Sequence, residues 1–107
     1  MKPYQLELPD IYRGCTWPPI TLEWKDDNGN PFNLDGWEPF AFSTRFNLNA
    51  RVTDRENGIT KISMSKTDTD HLRLGVDHWD WIWVGEGKTY PPALAGTVAV
   101  RDKKSVT

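Results

Sequence analysis

Apolar and polar residues alternate along most of this chain, and a period of two is typical of β-strands. The strongest case lies at residues 75–85, where tryptophan occupies positions 79, 81 and 83. Alternate side chains of a strand point to opposite faces, so we predict that the three indoles share one apolar face. The other face carries His78 and Asp80 and becomes apolar with Ile82 and Val84. This pattern predicts a central strand, covered on the tryptophan side and half covered on the other.

Three more segments show the same alternation. In residues 20–25 the inward row is predicted to be Ile20, Leu22 and Trp24. In the last strand the inward row is predicted to be Leu94, Gly96, Val98 and Val100. Residues 5–8 end at Pro9 and are predicted to form a short edge strand, because proline has no N–H to donate to a ladder.

Residues 40–49 are predicted to form one long strand with an aromatic side. One row of this strand contains Phe40, Phe42, Thr44, Phe46 and Leu48, and the other contains Ala41, Ser43, Arg45, Asn47 and Asn49. Phenylalanine buries far more apolar surface than alanine or serine. We therefore expect the phenylalanine row to face the core and to pack against the tryptophan row.

Turn and cap residues mark where these elements end. Asn28 and Gly29 both tolerate positive φ and predict a type I′ hairpin turn. Thr67 with Asp70 three residues later is typical of a helix N-cap, and Gly75 would end that helix. The sequence therefore predicts one short helix between two strands.

The predicted elements are about seven strands spaced roughly ten residues apart, with at most one short helix. We predict an all-β fold, an antiparallel immunoglobulin-like β-sandwich with one short helix. A small barrel is the alternative closure. With 107 residues and no visible linker, residues 1–107 are predicted to form a single domain that ends in a polar tail at 103–105.

Charge and cysteine content restrict the classes of partner. The net charge is −2, so no large basic field would hold a phosphate backbone and we expect no nucleic-acid partner. Cys15 is the single cysteine, which excludes an internal disulfide and predicts a packing role. The first residues lack the apolar run of a signal peptide, and no apolar run approaches the roughly 20 residues of a membrane span. We expect a soluble protein with no membrane partner.

No motif for catalysis or cofactor binding is found in the sequence. The richest polar cluster contains Asp68, Asp70, His71, His78 and Asp80, without a recognised metal-ligand spacing. Acidic residues in a first helical turn are explained by the helix dipole. Asp80 is expected to pair with an arginine such as Arg45 or Arg73. We predict no enzyme activity, no cofactor and no metal site.

Two tryptophans lie at predicted strand margins, next to turn residues. Trp17 and Trp37 would either cap the two ends of the sandwich or anchor a partner, because tryptophan is enriched at interface hot spots. Exposed tryptophans on a β-sandwich also stack on sugars, so a carbohydrate-binding module is the alternative from another functional class.

Three stretches carry a more specific signal than alternation. Residues 8–22, 24–31 and 34–37 read LPDIYRGCTWPPITL, WKDDNGNP and LDGW. This order of an arginine-glycine turn, a strand, a hairpin and a leucine-x-glycine-tryptophan corner resembles the opening of small tailed-phage structural proteins, among them the N-terminal domains of upper baseplate proteins. Asn57-Gly58-Ile59 and Gly96-Thr97-Val98-Ala99-Val100 fit the same layout, so the resemblance covers nearly the whole chain.

The resemblance implies a non-catalytic virion structural protein of the tail, baseplate or head-tail region. Its partners would be other virion proteins, contacted by multiple symmetric copies after assembly in the host cytoplasm. A capsid decoration or cement protein is the alternative within this class. The predicted contact residues are Tyr4, Leu6, Leu8, Tyr12, Trp17 and Trp37. The first three belong to the N-terminal segment, and unpaired strand edges are available for another strand to join.

Overall fold

The computed structural model describes residues 4–102, so the predicted polar tail at 103–105 lies outside the described residues. The strands are β1 (Tyr4–Gln5), β2 (Ile11–Arg13), β3 (Trp17–Glu23), β4 (Trp37–Ser43), β5 (Asn47–Asp54), β6 (Ile59–Met64), β7 (Gly75–Gly85), β8 (Lys88–Thr89) and β9 (Leu94–Asp102). One short helix, α1 (Lys66–Asp70), lies between β6 and β7.

The nine strands of the described part form one sheet in the order β1-β9-β7-β4-β5-β6-β3, with β2 also on β9 and β8 also on β7. Neighbouring strands are antiparallel, except that β1 and β2 run parallel to β9. The sheet curls into a half-barrel. Within residues 4–102, no helix has the length and apolar content that a bilayer crossing requires.

The structure confirms the tryptophan row as the centre of the core. Strand β7 lies between β9 and β4, and its Trp79 and Trp81 are 1% and 0% exposed. Trp83 is half-buried and packs against the same core. The inward rows predicted for β3 and β9 are also confirmed, with Val98 and Val100 buried beside the indoles.

The face assigned to the phenylalanine row is wrong for Phe40 and Phe42 in β4, whereas Phe46 packs against the core as predicted. In the β4–β7 ladder Ala41 lies opposite Trp81, and Phe40 lies opposite Ile82. Residues directly opposite each other in an antiparallel pair share a face, so Ala41 faces the core and Phe40 faces away from it. Their exposed fractions agree, at 4% for Ala41 and 52% for Phe40.

The predicted long strand is in fact two strands joined by a turn at Ser43. The Ser43 hydroxyl accepts the backbone N–H groups of Arg45 and Phe46, at 3.2 and 3.1 Å. The backbone N–H of Ser43 also donates to the Phe46 carbonyl at 2.7 Å. The turn reverses the chain into β5, where Leu48 is buried in the core as predicted. Because a serine closes this turn without glycine or proline, the sequence pattern did not reveal it.

The short helix is confirmed, but its cap is not the predicted one. Helix α1 begins after Ser65, whose side chain accepts the backbone N–H of Asp68 at 3.1 Å. The Asp68 carboxylate accepts the backbone N–H of Ser65 at 3.1 Å, which completes a capping box. The C-cap is His71, well before Gly75. Thr67 lies inside the helix and is not its cap.

The turn after β3 is a hairpin, but not of type I′. Gly29 has φ of +83°, whereas Asn28 has no positive φ. The Asp26 carboxylate instead accepts the backbone N–H groups of Asn28 and Asn30, both at 2.9 Å. A side chain therefore closes this loop where two left-handed residues were predicted.

The antiparallel immunoglobulin-like sandwich is not confirmed. The described strands follow one hydrogen-bonded path, and β1 and β2 run parallel to β9. The prediction of a mostly β fold with one short helix is confirmed. The curled half-barrel is closer to the barrel alternative, because a curled sheet encloses its core by bending.

The N-terminal segment is fixed to the sheet by two close contacts of Leu6, one with β7 and one with β9. The indole N–H of Trp79 donates to the Leu6 carbonyl at 2.7 Å. Gly96 lies beside this bond, and a Cβ at Gly96 would come within 2.1 Å of the Leu6 oxygen. The absence of a side chain at Gly96 thus allows the backbone of Leu6 to approach β9.

The cap of α1 predicts a local acid transition. The hydrogen bonds from the Ser65 backbone and side chain lower the pKa of Asp68 below its ordinary value. A carboxyl group with a lower pKa in the folded state stabilises the fold above its unfolded pKa, and this contribution is lost as pH falls through the folded value. We expect the NMR amide shift of Ser65 to titrate with a midpoint below the pKa of an aspartate in an unfolded chain, and Asp68→Asn to remove the step. An identical step in the variant would contradict this cap.

Candidate protein-contact surfaces

One face of β4, β7 and β9 points away from the tryptophan row and is called the outer face. Its members are Glu38, Phe40 and Phe42 on β4, Val76, His78, Asp80, Ile82 and Val84 on β7, and Ala95, Thr97 and Ala99 on β9. Helix α1 packs against β2 and β6, so it does not cover this face. The outer face is therefore uncovered in the described part of the chain.

The outer face has an apolar end built on β4 and β7. Phe40 is 52% exposed and lies opposite Ile82, while Phe42 and Val84 are half-buried beside them. His78 and Asp80 make the middle of the face polar. At the opposite end Val76 is 67% exposed. Phe40 and the half-buried Phe42, Ile82 and Val84 form one apolar patch, and a contiguous apolar patch on a sheet face is typical of a contact surface.

A second surface is a hollow at one end of the half-barrel, called the aromatic hollow. It has a volume of about 270 Å³ and is lined by Trp24, Phe32, Asn33, Leu34, Trp37 and Trp83. The rings of Trp24 and Trp83 meet edge-on at 5.1 Å, and Trp37 packs on Tyr90 at 5.0 Å. Asn33 is the one polar side chain in this lining, so the hollow favours an apolar group.

A glycine positions the aromatic hollow. Gly58 has φ of +67°, and a Cβ there would come within 2.6 Å of the Trp24 carbonyl and 2.8 Å of the Phe32 carbonyl. Trp24 donates its backbone N–H to the Gly58 carbonyl at 2.8 Å. The turn at Gly58 therefore fixes the backbone of two residues that line the hollow.

The predicted contact residues do not lie on one surface. Tyr4 is 80% exposed at the sheet end, and Leu6 is partly buried next to it. Leu8 and Trp17 are buried in the core at 6% and 4% exposed, while Tyr12 and Trp37 are half-buried. Tyr4 lies on β1 and Leu6 directly follows that strand, whereas Leu8 and Trp17 offer little surface. Whether any of the six contacts a partner stays a prediction.

The polar residues near the tryptophans form structural contacts. Arg45 pairs with Asp77 and not with Asp80, through an Nε at 3.0 Å from both carboxylate oxygens. Asp77 is only 9% exposed, so this pair satisfies a buried carboxylate. Within residues 4–102, no three His, Cys, Asp or Glu side chains are grouped as a metal ion would require.

The remaining pKa shifts also have structural causes. The side chain and backbone of Asn57 donate to Asp54 and lower the pKa of that carboxyl group. The hydrogen bond from Arg101 to Asp10, at 2.6 Å, raises the pKa of the guanidinium. A turn and a surface ion pair explain these shifts, which do not indicate acid–base chemistry.

Sequence reasoning missed the exposed phenylalanine of the outer face. The alternation at β7 did place Ile82 and Val84 on the face away from the indoles, and this was the signal in the sequence for an apolar outer face. The missing information was which row of β4 lies beside them. That depends on the register between β4 and β7, a long-range property.

The comparisons with known proteins concern the fold. No family model matches this chain, and no curated protein matches it. Among solved structures, the N-terminal domain of ORF48 from phage TP901-1 matches with a TM-score of 0.51. The sequence identity is 15%, and the match covers 94% of this chain and 86% of the phage chain. At this identity the likeness shows the fold alone: the chain shares its architecture with a domain of a phage protein.

Proposed function

We propose that this chain is a non-catalytic structural protein of a phage particle, in the tail, baseplate or head-tail region, acting through protein contacts. The fold likeness to a phage domain supports this, as does the resemblance of residues 8–37 to tailed-phage structural proteins. The proposed partners are other virion proteins, contacted by several symmetric copies. Nucleic acid and membranes are not proposed as partners.

The observation that carries the proposal is the uncovered apolar end of the outer face. Phe40 has 52% of its surface exposed, on a strand whose other face is buried. Burying apolar surface is favourable by about 25 cal/mol per Å², so a partner that covers this end gains free energy. Aromatic side chains are also frequent anchors at the centre of interfaces. A net charge of −2 adds little repulsion between neighbouring copies.

The first test is the presence of the chain in purified particles. Particles from cells that carry the gene are separated by density and analysed by mass spectrometry. We expect a fixed copy number per particle for the wild-type chain. Its absence from particles, with free chain present in the lysate, would contradict the proposal.

A matched pair of variants tests the outer face. Phe40→Ser removes its exposed ring, and Phe32→Ser removes a ring that is 49% exposed in the aromatic hollow, away from the outer face. We expect Phe40→Ser to stay folded and to enter particles at least about tenfold less, which corresponds to about 1.4 kcal/mol. Phe32→Ser should enter normally. Equal entry of the two variants would contradict the role of the outer face.

The aromatic hollow favours a second candidate, a carbohydrate-binding module. Trp24, Trp37 and Phe32 line a space of about 270 Å³, and aromatic rings can pack against the apolar face of a sugar ring. Titration with soluble polysaccharides while tryptophan fluorescence is followed would separate the two candidates. A saturable blue shift that Trp37→Ala abolishes would favour sugar binding.

A capsid decoration role, the alternative within the first class, is distinguished by the position of the chain in particle images.

A further inference from the structure

The two ends of the curled sheet line one depression, which we call the seam. Its volume is about 380 Å³, and it is lined by Tyr4, Gln5, Leu6, Leu22, Glu23, Trp24, Lys25 and Leu94. The β1 residues lie at one end of the strand order and the β3 residues at the other. In the described part of the chain no backbone ladder joins β1 to β3. The half-barrel is therefore open along this line.

At the N-terminal edge of the seam, every second residue directs its backbone N–H and C=O groups into the seam. Tyr4, Leu6 and Leu8 donate their N–H groups to carbonyls of the β9 segment, at 3.1, 2.8 and 3.1 Å. Successive backbone groups of an extended chain point to opposite sides. The N–H and C=O groups of Gln5 and Glu7 therefore point away from β9, toward the free edge.

Every second residue of β3 also directs its backbone groups into the seam. Trp24 donates its N–H to the Gly58 carbonyl at 2.8 Å, on the side where β6 begins. By alternation, the backbone groups of Thr21 and Glu23 point away from β6. Pro18 and Pro19 have no N–H group, so neither can donate to another strand. The backbone groups available on this edge are thus those of Thr21 and Glu23.

The floor of the seam is apolar. Leu6, Leu22, Trp24 and Leu94 are only partly buried and pack against the core from the seam side. Tyr4 adds a ring that is 80% exposed. An extended segment placed between the two edges would point alternate side chains onto this floor. Its other side chains would lie on the side of Glu7 and Glu23. Glu23 pairs with Lys25 at 3.5 Å, but both side chains are exposed, and an exposed ion pair contributes little. Two carboxylates against one lysine leave a net negative charge, so basic residues of the segment fit there.

We propose that the seam accepts one extended segment of a partner protein, apolar at alternate positions and basic between them, which completes the half-barrel. This rests on the proposed function, since it names the kind of contact through which the chain binds a virion partner. Five antiparallel pairings separate β9 from β3, and β1 is parallel to β9. Strands β1 and β3 are therefore antiparallel to each other, and the segment runs parallel to one and antiparallel to the other.

The test uses the purified full chain and two synthetic peptide pools. One pool has nine-residue peptides that alternate Val, Ile, Leu or Phe with Lys or Thr, and the other has the same composition without alternation. We expect only the alternating pool to slow amide exchange at Gln5, Glu7, Thr21 and Glu23, measured by NMR. Equal protection by the two pools, or protection by neither, would overturn the proposal.

Two variants locate the binding. Thr21→Pro removes an N–H that points into the seam and leaves the β6 side intact, and we expect at least tenfold weaker peptide binding. Glu23→Lys is an exposed change that keeps the fold, and it should weaken binding of the Lys-rich peptides selectively. Binding unchanged in both variants would overturn the proposal. These results do not depend on particles, so failure here is distinguishable from absence of the chain from virions.

Discussion

Trp81→Ala should destabilise the protein by about 3–5 kcal/mol, a large share of the roughly 5–15 kcal/mol that stabilises a typical domain. Trp81 is fully buried, and its ring packs against Trp24 and Trp83 with centroids 5.4 Å away in each case. Removing the indole leaves a cavity that these neighbours fill only in part. Urea unfolding followed by circular dichroism gives the free energy of unfolding.

Phe40→Ala is the matched comparison for that experiment. Phe40 is 52% exposed on the outer face, so its truncation should cost less than about 1 kcal/mol. If residues were ranked by hydrophobicity alone, both Trp81 and Phe40 would be assigned to the core. Similar losses in the two variants would contradict the face assignment of β4.

Gly96→Ala should cost about 2–4 kcal/mol, an unusually large effect for one added methyl group. The new Cβ would lie within 2.1 Å of the Leu6 oxygen and 3.1 Å of the Trp79 indole nitrogen. The N-terminal strand must move, and the bond from Trp79 to Leu6 is lost. Thermal unfolding measures the loss, and the NMR signal of the Trp79 indole N–H should move toward that of a free indole.

Thr97→Ala is the control within the same strand. Its side chain lies on the outer face, opposite His78, so its removal should cost about 0.5 kcal/mol. If Gly96→Ala and Thr97→Ala have equal effects, or the Trp79 indole signal is unchanged in Gly96→Ala, then β1 does not approach β9 in the way described.

The sequence predicted the parts of this fold that depend on strong local patterns. The indoles at alternate positions located β7 and its buried face, and the inward rows of β3 and β9 followed from the same period. These rows are reliable because a strand with one large apolar row has only one side that it can bury.

The face predicted for Phe40 and Phe42 is wrong because the neighbouring strand β7 decides which row of β4 is buried. Two indoles on β7 fill the interior, and the positions opposite them hold the small side chains Ala41 and Ser43. Large residues packed against small ones keep the interior filled without overlap. Phe40 therefore takes the outer side. Counting apolar volume within one strand misses this, since the constraint lies between strands.

The candidate surfaces were even less accessible from the sequence. The seam joins residues near positions 4–6 to residues near positions 22–25 and to Leu94, which only the curl of the sheet brings together. An edge strand at residues 5–8, ending at Pro9, was predicted, whereas the edge that faces it across the seam was not. Capping by Ser65 was missed because Thr67 and Asp70 have the same spacing.

The most direct test of this account is thiol labelling of two adjacent residues on β4. In a Cys15→Ser background, Phe40→Cys and Ala41→Cys are treated with a maleimide under native conditions and compared with the unfolded chains. We predict rapid labelling at position 40 and protection of at least a hundredfold at position 41, about 2.7 kcal/mol. Protection at position 40 with free labelling at position 41 would show that the phenylalanines fill the interior, and the uncovered outer face would not exist.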